Sequence, residues 1–304
     1  MKSTKLPPSE MNKLNRLLSF IYYQSNIWKT MKIHTTITML IFFVVGLQPI
    51  YGSNSPDTLR FEGLLTKEIL KNTDINGTLL NDLDVTRNHH ILLATGTQFY
   101  LLGWGGIQPL GGVFDGHINA FTINKEGFVV AIHNQDLCYL DNNDNLSKIL
   151  TLPNTNMGVV AGDSLLYVYD KDPISRCNFY VVFKGGRYIK LFTSPVPVTA
   201  VTEVKGKLVF TTGTKVLSFN PVEGELQSMA SLGNGNKIIS LAYDKHNDII
   251  FFSTQQSIFY IKNTKVYKLS DQYGGFLKFF QDGLIIFSPE NNSMVRLVGI
   301  SNQL

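Results

Sequence analysis

Cysteine, tryptophan, charge and helical periodicity are all scarce in this 304-residue chain. Two cysteines, Cys138 and Cys177, are all it has. They form no Cys-x-x-Cys pair and show no metal-ligand spacing, which removes dithiol redox centres and zinc ribbons from consideration. Charged residues make up 16% and hydrophobic residues 44%, so the chain is too apolar to stay disordered. After residue 53 no segment holds an apolar helical rhythm over several turns, apart from the short GLLTKEILKNTD at 63–74. A helical bundle is therefore excluded. Gly-x-Ser-x-Gly and His-Glu-x-x-His are missing, and with them the nucleophile elbow and the zinc-protease signature. GNGNK at 233–237 is glycine-rich, but it lies between strands rather than ahead of a helix, so it is a poor phosphate loop.

The net charge of +4 is unevenly spread. Residues 1–52 hold six basic side chains (Lys2, Lys5, Lys13, Arg16, Lys29, Lys32) against Glu10 alone, which leaves −1 for residues 53–304. A nucleic-acid binder carries a basic field, so no nucleic-acid partner is expected. MKIHTTITMLIFFVVGLQPIYGS at 31–53 explains the leader. Lys32 and His34 start it, an apolar run follows from 35 to 47, and Gly52 is small enough to end a cleavage site. The run is shorter than the ~20 residues of a spanning helix, so it reads as a signal peptide, with Met31 as an alternative start. Contact with a membrane is expected only through an uncleaved leader. The chain divides into a leader at 1–52, an N-terminal segment at 53–74 and a repeat domain at 75–304. Export to the periplasm or the exterior is the expectation. There the two cysteines meet an oxidising milieu. They fall in adjacent repeat units and read as separate packed thiols, with pairing left open.

What the chain has in abundance is strand-forming residues. Phe and Tyr number 20 and 13, beside many Val, Ile and Thr. One unit recurs six times, roughly every 40 residues. Its anchor is a very apolar run: HILLAT (90–95), FVVAIH (128–133), LLYVYD (165–170), LVFTTG (208–213), IIFFST (249–254) and LIIFSP (284–289). Hairpin turns rich in Gly, Asn and Asp precede these runs, as in NKEG, KHND and QDG. Alternating stretches follow, as in DLCYLD, KVLSFN and SIFYIK, and then more polar ones such as SKILTL and VYKLS. Four strands per unit, apolar inside and polar outside, predict an all-β, six-bladed β-propeller.

Residues 75–304 resemble the six-bladed β-propellers of the broad NHL/lactonase-like kind. The resemblance rests on rhythm; Trp-Asp ends, a kelch pattern of Gly pairs, YWTD and Asp-boxes are missing. The last unit stops after three strands, at SMVRLVGI (293–300), and a ring needs that blade completed. TLRFEGLLT (58–66) has strand character and is expected to close the ring as the outer strand of the last blade.

In propellers of the kind resembled, ligands bind one face and the mouth of the central channel. Two sets of loops meet there, those between blades and those between second and third strands. Blade two puts Asp115 and His117 in one loop and His133 and Asp136 in the other. A His beside a carboxylate is a minimal kit for acid–base work or metal binding. The longest loop, YDKDPISRCN (169–178), adds Lys171 and Arg176, and Trp104 and Phe114 are candidate aromatic contacts. A lactonase of the resembled kind would hold a metal in the channel. The inner-strand set found here, Asp82 or Asp84 and Glu203 with Asn119, Val159 and Ser240, is too apolar for a hard-cation cage. No catalytic residue, metal or cofactor is therefore expected. The expectation is a non-catalytic scaffold that binds a protein, peptide or glycan through one face. A metal-assisted hydrolase or lactonase at the channel mouth is the alternative.

Overall fold

The computed structural model describes residues 57–58, 65–70 and 80–300, apart from 87, 89, 104, 105, 173, 234 and 289–292. The leader, residue 104 and most of 53–79 lie outside the described residues.

Six antiparallel sheets follow one another along the chain, as the repeat predicts. Blade one is Leu80–Val85, Ile91–Thr95, Phe99–Gly103 and Gly106–Leu110; blade two is Ile118–Ile123, Val129–His133, Asp136–Leu140 and Leu146–Thr151. Blade three is Met157–Ala161, Leu166–Asp170, Cys177–Phe183 and Arg187–Ser194; blade four is Ala200–Val204, Lys207–Thr212, Lys215–Asn220 and Glu225–Ser231. Blade five is Ser240–Asp244, Ile249–Ser253, Ile258–Lys262 and Lys265–Ser270. Blade six has Phe276–Phe280, Gly283–Ser288 and Ser293–Val298, and Leu65–Leu70 lies antiparallel beside the last of these. That strand overlaps the expected 58–66 segment only at residues 65 and 66, and residues 59–64 lie outside the described residues. The one stretch with a helical rhythm, 63–74, is extended where it is described. Asp57–Thr58 runs parallel to the outer strand of blade five.

The turns follow from the residues in them. Gly127 and Gly206 take φ of +92° and +83°, and Asn134, Asp248 and Asn263 adopt the same left-handed region. Such conformations suit Gly and Asn, and they reverse the chain within two residues. Each second strand is sandwiched between neighbouring blades, so both of its faces are buried. Ile91–Thr95 and Ile249–Ser253 are buried throughout, which is why these runs show no alternation in the sequence. In blades two to five the pairing of third and fourth strands is broken by a register shift, for instance between Phe179 and Tyr180. Such bulges increase twist and let the outer strand splay outwards.

The core consists of six apolar layers, one in each seam between adjacent blades. Phe99, Phe121 and Ala131 fill the first seam, and Ile132, Met157 and Val168 the second. Phe179 and Phe210 lie between blades three and four, and Phe252 and Ile238 between four and five. Leu284 and Phe251 fill the fifth seam. The sixth joins the ends of the ring: Leu83, Ile91 and Leu93 of blade one pack against Phe280, Ile285 and Met294 of blade six. Both cysteines are buried and free, in different blades, and Cys177 lies in the layer between blades three and four.

Candidate functional site

The first strands of the blades line the channel, and their inner edges have no neighbouring strand. An edge of this kind leaves backbone N–H and C=O groups to be satisfied by other means. Here polar side chains reach from one blade to the edge of the next. Asp82 Oδ2 accepts from the Phe121 amide at 3.2 Å, and Asp84 Oδ2 accepts from the Ile123 amide at 2.9 Å. The Asn119 side chain donates to the Thr155 carbonyl at 2.9 Å. Glu203 accepts from the Asp163 amide, Thr199 Oγ1 donates to the Ile238 carbonyl at 2.8 Å, and Ser240 Oγ accepts from the Leu277 amide at 2.8 Å. The sixth seam is bridged by an ion pair, Lys278 Nζ to Asp84 Oδ1 at 2.9 Å. Every seam of the ring therefore has at least one polar bridge at or beside the channel wall.

Lys278 is the residue that sequence reasoning missed. It stands alone in FLKFF, a charge inside an apolar strand, and that isolation was the available signal. Burial opposes its charge, but the carboxylates of Asp84 and Asp82 outweigh that and raise its pKa. Burial lifts the Asp82 carboxyl above its ordinary value, against the pull of Lys171 and Lys278. Among the described residues no three His, Cys, Asp or Glu side chains come together as a metal site. The channel carboxylates hold backbone amides and an ammonium instead.

The blade-two loops do come together, as the strand order requires. The His117 amide donates to Asn134 Oδ1 at 2.8 Å, and the Asn134 amide donates to the His117 carbonyl at 2.7 Å. His117 is exposed, with its Nε2 at 3.3 Å from the Asn81 amide group. His133 packs edge-on against Phe114, and its Nε2 is buried beside Gly116 without a hydrogen-bond partner. Asp136 stands opposite His133 across the strand pair but is turned to other groups. It accepts from Thr151 Oγ1 at 2.8 Å and pairs with Lys148 at 2.9 Å. Those hydrogen bonds lower its pKa, so it remains a carboxylate committed to Lys148. Asp115 is exposed in the same loop. Four titratable groups thus share a face without forming an acid–base pair.

Lys171 is anchored through its backbone, its amide donating to the Asn156 carbonyl at 2.9 Å. Arg176 is exposed. Asp172 accepts from the amides of Ile174 and Ser175, which shapes the loop and leaves the Ile174 side chain 87% exposed. Val113, in the loop between blades one and two, and Val196, in the loop between blades three and four, are 72% and 42% exposed. Trp104 lies outside the described residues.

No family model and no curated protein matches this sequence. Solved structures do match in shape. A gluconolactonase from Xanthomonas campestris superposes with a TM-score of 0.57 at 10% identity, covering 83% of this chain and 99% of its own. A luciferin-regenerating enzyme gives 0.61 at 10% identity over 78% of this chain and 96% of its own. A chain of a nidogen–laminin complex gives 0.58 at 13% identity over 70% of this chain and 90% of its own. The chain is a six-bladed β-propeller. At such identities the likeness shows the fold alone, and the propellers it resembles include both lactonases and protein-binding modules.

Proposed function

We propose that this propeller is an exported, non-catalytic scaffold that binds a protein, peptide or glycan through the face bearing Asp115, His117, Lys171 and Arg176. One observation carries the reading: the polar groups of the channel wall are engaged between blades, and Lys278 supplies the positive charge beside Asp82 and Asp84. Support also comes from the outer loops of that face, where Ile174, Val113 and Val196 expose apolar side chains among charged ones. Apolar anchors ringed by charge suit a protein or peptide best.

A selection of displayed peptides on the purified protein tests this. Peptides should emerge whose binding is lost in an Ile174→Asp, Arg176→Glu variant of unchanged melting temperature. Metal-dependent hydrolysis of lactones or esters, lost in Asp82→Asn, would overturn the reading in favour of a lactonase.

The reading includes the N-terminus. Residues 31–52 serve as a signal peptide, and Leu65–Leu70 closes blade six as its outer strand. The antiparallel register Leu65 to Val298 through Leu70 to Met294 supports that closure. Mass spectrometry of the secreted chain should find a start near residue 53. Deletion through residue 70 should lower the melting temperature; an unchanged value would refute the closure.

A further inference from the structure

The bridges between blades leave two donors of blade three unused. The first is Tyr169, in the second strand, opposite Gly158 of the first strand. First strands line the channel. With no side chain at residue 158, the tyrosine ring lies across that strand towards the axis, and a Cβ there would stand 2.6 Å from the hydroxyl oxygen. Tyr169 is 8% exposed, yet among the described residues its hydroxyl makes no hydrogen bond. The second donor is Lys171, which follows that strand directly, at the end where the loops of the proposed face gather. It is half-buried, and among the described residues its ammonium forms no ion pair.

Both groups act on Asp82 of blade one. Burial raises the Asp82 pKa against the charges of Lys171 and Lys278, and burial and then the Asp82 charge raise that of the Tyr169 phenol. Blades one and three are not neighbours in the ring, so these groups act on each other across the channel. Lys278 comes in from blade six. Asp82 is not a free acceptor, because its oxygens take the amides of Leu83 and Phe121 at 2.8 and 3.2 Å. Asp84 holds Lys278, so a cation would have to displace that ammonium from a buried carboxylate. The groups left over are donors: the Tyr169 hydroxyl, the Lys171 ammonium and the remaining N–H groups of Lys278. They suit a carboxylate. Phe276 supplies an apolar contact. It stands two residues before Lys278, hence on the same side of the strand, at the end nearer the loops, and is 43% exposed. An apolar body can rest on that ring while the carboxylate lies deeper.

We propose that the channel mouth binds a small carboxylate with an apolar body, its carboxylate held by Tyr169, Lys171 and Lys278 and its body resting on Phe276. This ligand is separate from the macromolecule read on the outer loops; the two sites share Lys171, and the test uses no peptide, so either reading can fail alone. Full-length protein is titrated calorimetrically with benzoate, 3-phenylpropionate and octanoate, beside 3-phenylpropionamide, benzylamine and inorganic phosphate. At least one carboxylate should bind, about tenfold or more tighter than the amide, the amine and phosphate. Tyr169→Phe keeps the ring over Gly158 and removes only the hydroxyl. It should weaken that binding several-fold, and Lys171→Met by about tenfold, at an unchanged melting temperature. Failure of all three carboxylates to bind would overturn the proposal. So would an amide or amine binding as tightly as the acid, or an affinity that neither variant moves. Phosphate binding as tightly as the best carboxylate would overturn it too, because the apolar body would then count for nothing.

Discussion

Lys278 of blade six donates to Asp84 of blade one across the seam where the ring meets itself, at 2.9 Å. Asp84 is 7% exposed and also accepts from the amides of Val85 and Ile123 and from Thr122 Oγ1. Its charge is thus shared between backbone donors and one ammonium. Removing the ammonium leaves a buried carboxylate short of its counter-charge. Lys278 is 36% exposed, so water and salt recover part of the loss. Lys278→Met should cost about 1–3 kcal/mol in urea unfolding, and Asp84→Asn in the same chain should add little further loss. Additive single effects would show that the pair is not coupled.

Glu203 sets a pH dependence of opposite sign to the usual one for acids. It is 6% exposed, and burial raises its pKa despite the Gly206 amide that donates to it. The folded state therefore holds the proton more tightly than the unfolded state. Its contribution is most favourable at low pH and declines as pH rises from 4.5 through the raised value. Glu203→Gln keeps a carbonyl acceptor for Gly206 and removes the titration. Urea midpoints at acidic and neutral pH should show the variant gaining on the parent as pH rises. A parallel pH profile would refute the assignment.

The blades were legible because their signal is local. Runs such as IIFFST and FVVAIH are apolar on both sides, and the turns before them carry the Gly, Asn and Asp that reverse a chain. The face shared by His117 and His133 followed from strand order alone. What could not be read was the role of Asp82, Asn119 and Ser240. Each is a polar residue in an inner strand, and its partner is a backbone group in or just before the next blade, some forty residues away. Asp136 illustrates the same limit. Its approach to His133 in sequence is real, but Lys148 and Thr151, on a strand further out, take its oxygens.

The two thiols give a simple test of seam packing. Cys177 lies at 3.1 Å from the Asp170 carbonyl oxygen, and Cys138 at 3.8 Å from that of Asp136. Burial pushes the Cys138 thiol up to about 11 and raises Cys177 further still. Thiolate, the reactive form, is therefore scarce at neutral pH at both positions. Native protein should take up far less than one equivalent of a disulfide reagent over minutes, and two equivalents in concentrated urea, since two cysteines are present. Rapid native labelling at neutral pH would contradict the buried, unpaired arrangement. A shortfall in urea that reductant restores would contradict it too.

Gly158 and Tyr169 should be energetically coupled. They are cross-strand partners in blade three, and Gly158 leaves room for the tyrosine ring to lie over the inner strand. A Cβ at residue 158 would overlap Tyr169 Cζ and come within 2.6 Å of its hydroxyl oxygen. The ring is 8% exposed and packs against Phe179 in the seam with blade four, so it cannot move aside without disturbing that layer. Gly158→Ala should therefore cost about 1–3 kcal/mol, as overpacking does in a filled core. Tyr169→Val alone should also destabilise, by leaving a cavity. In the double variant the added methyl meets no ring, so the loss should be smaller than the sum of the two by at least about 1 kcal/mol. Full additivity in a urea double-mutant cycle would mean that the ring does not depend on the absent side chain, and that glycine is there for another reason.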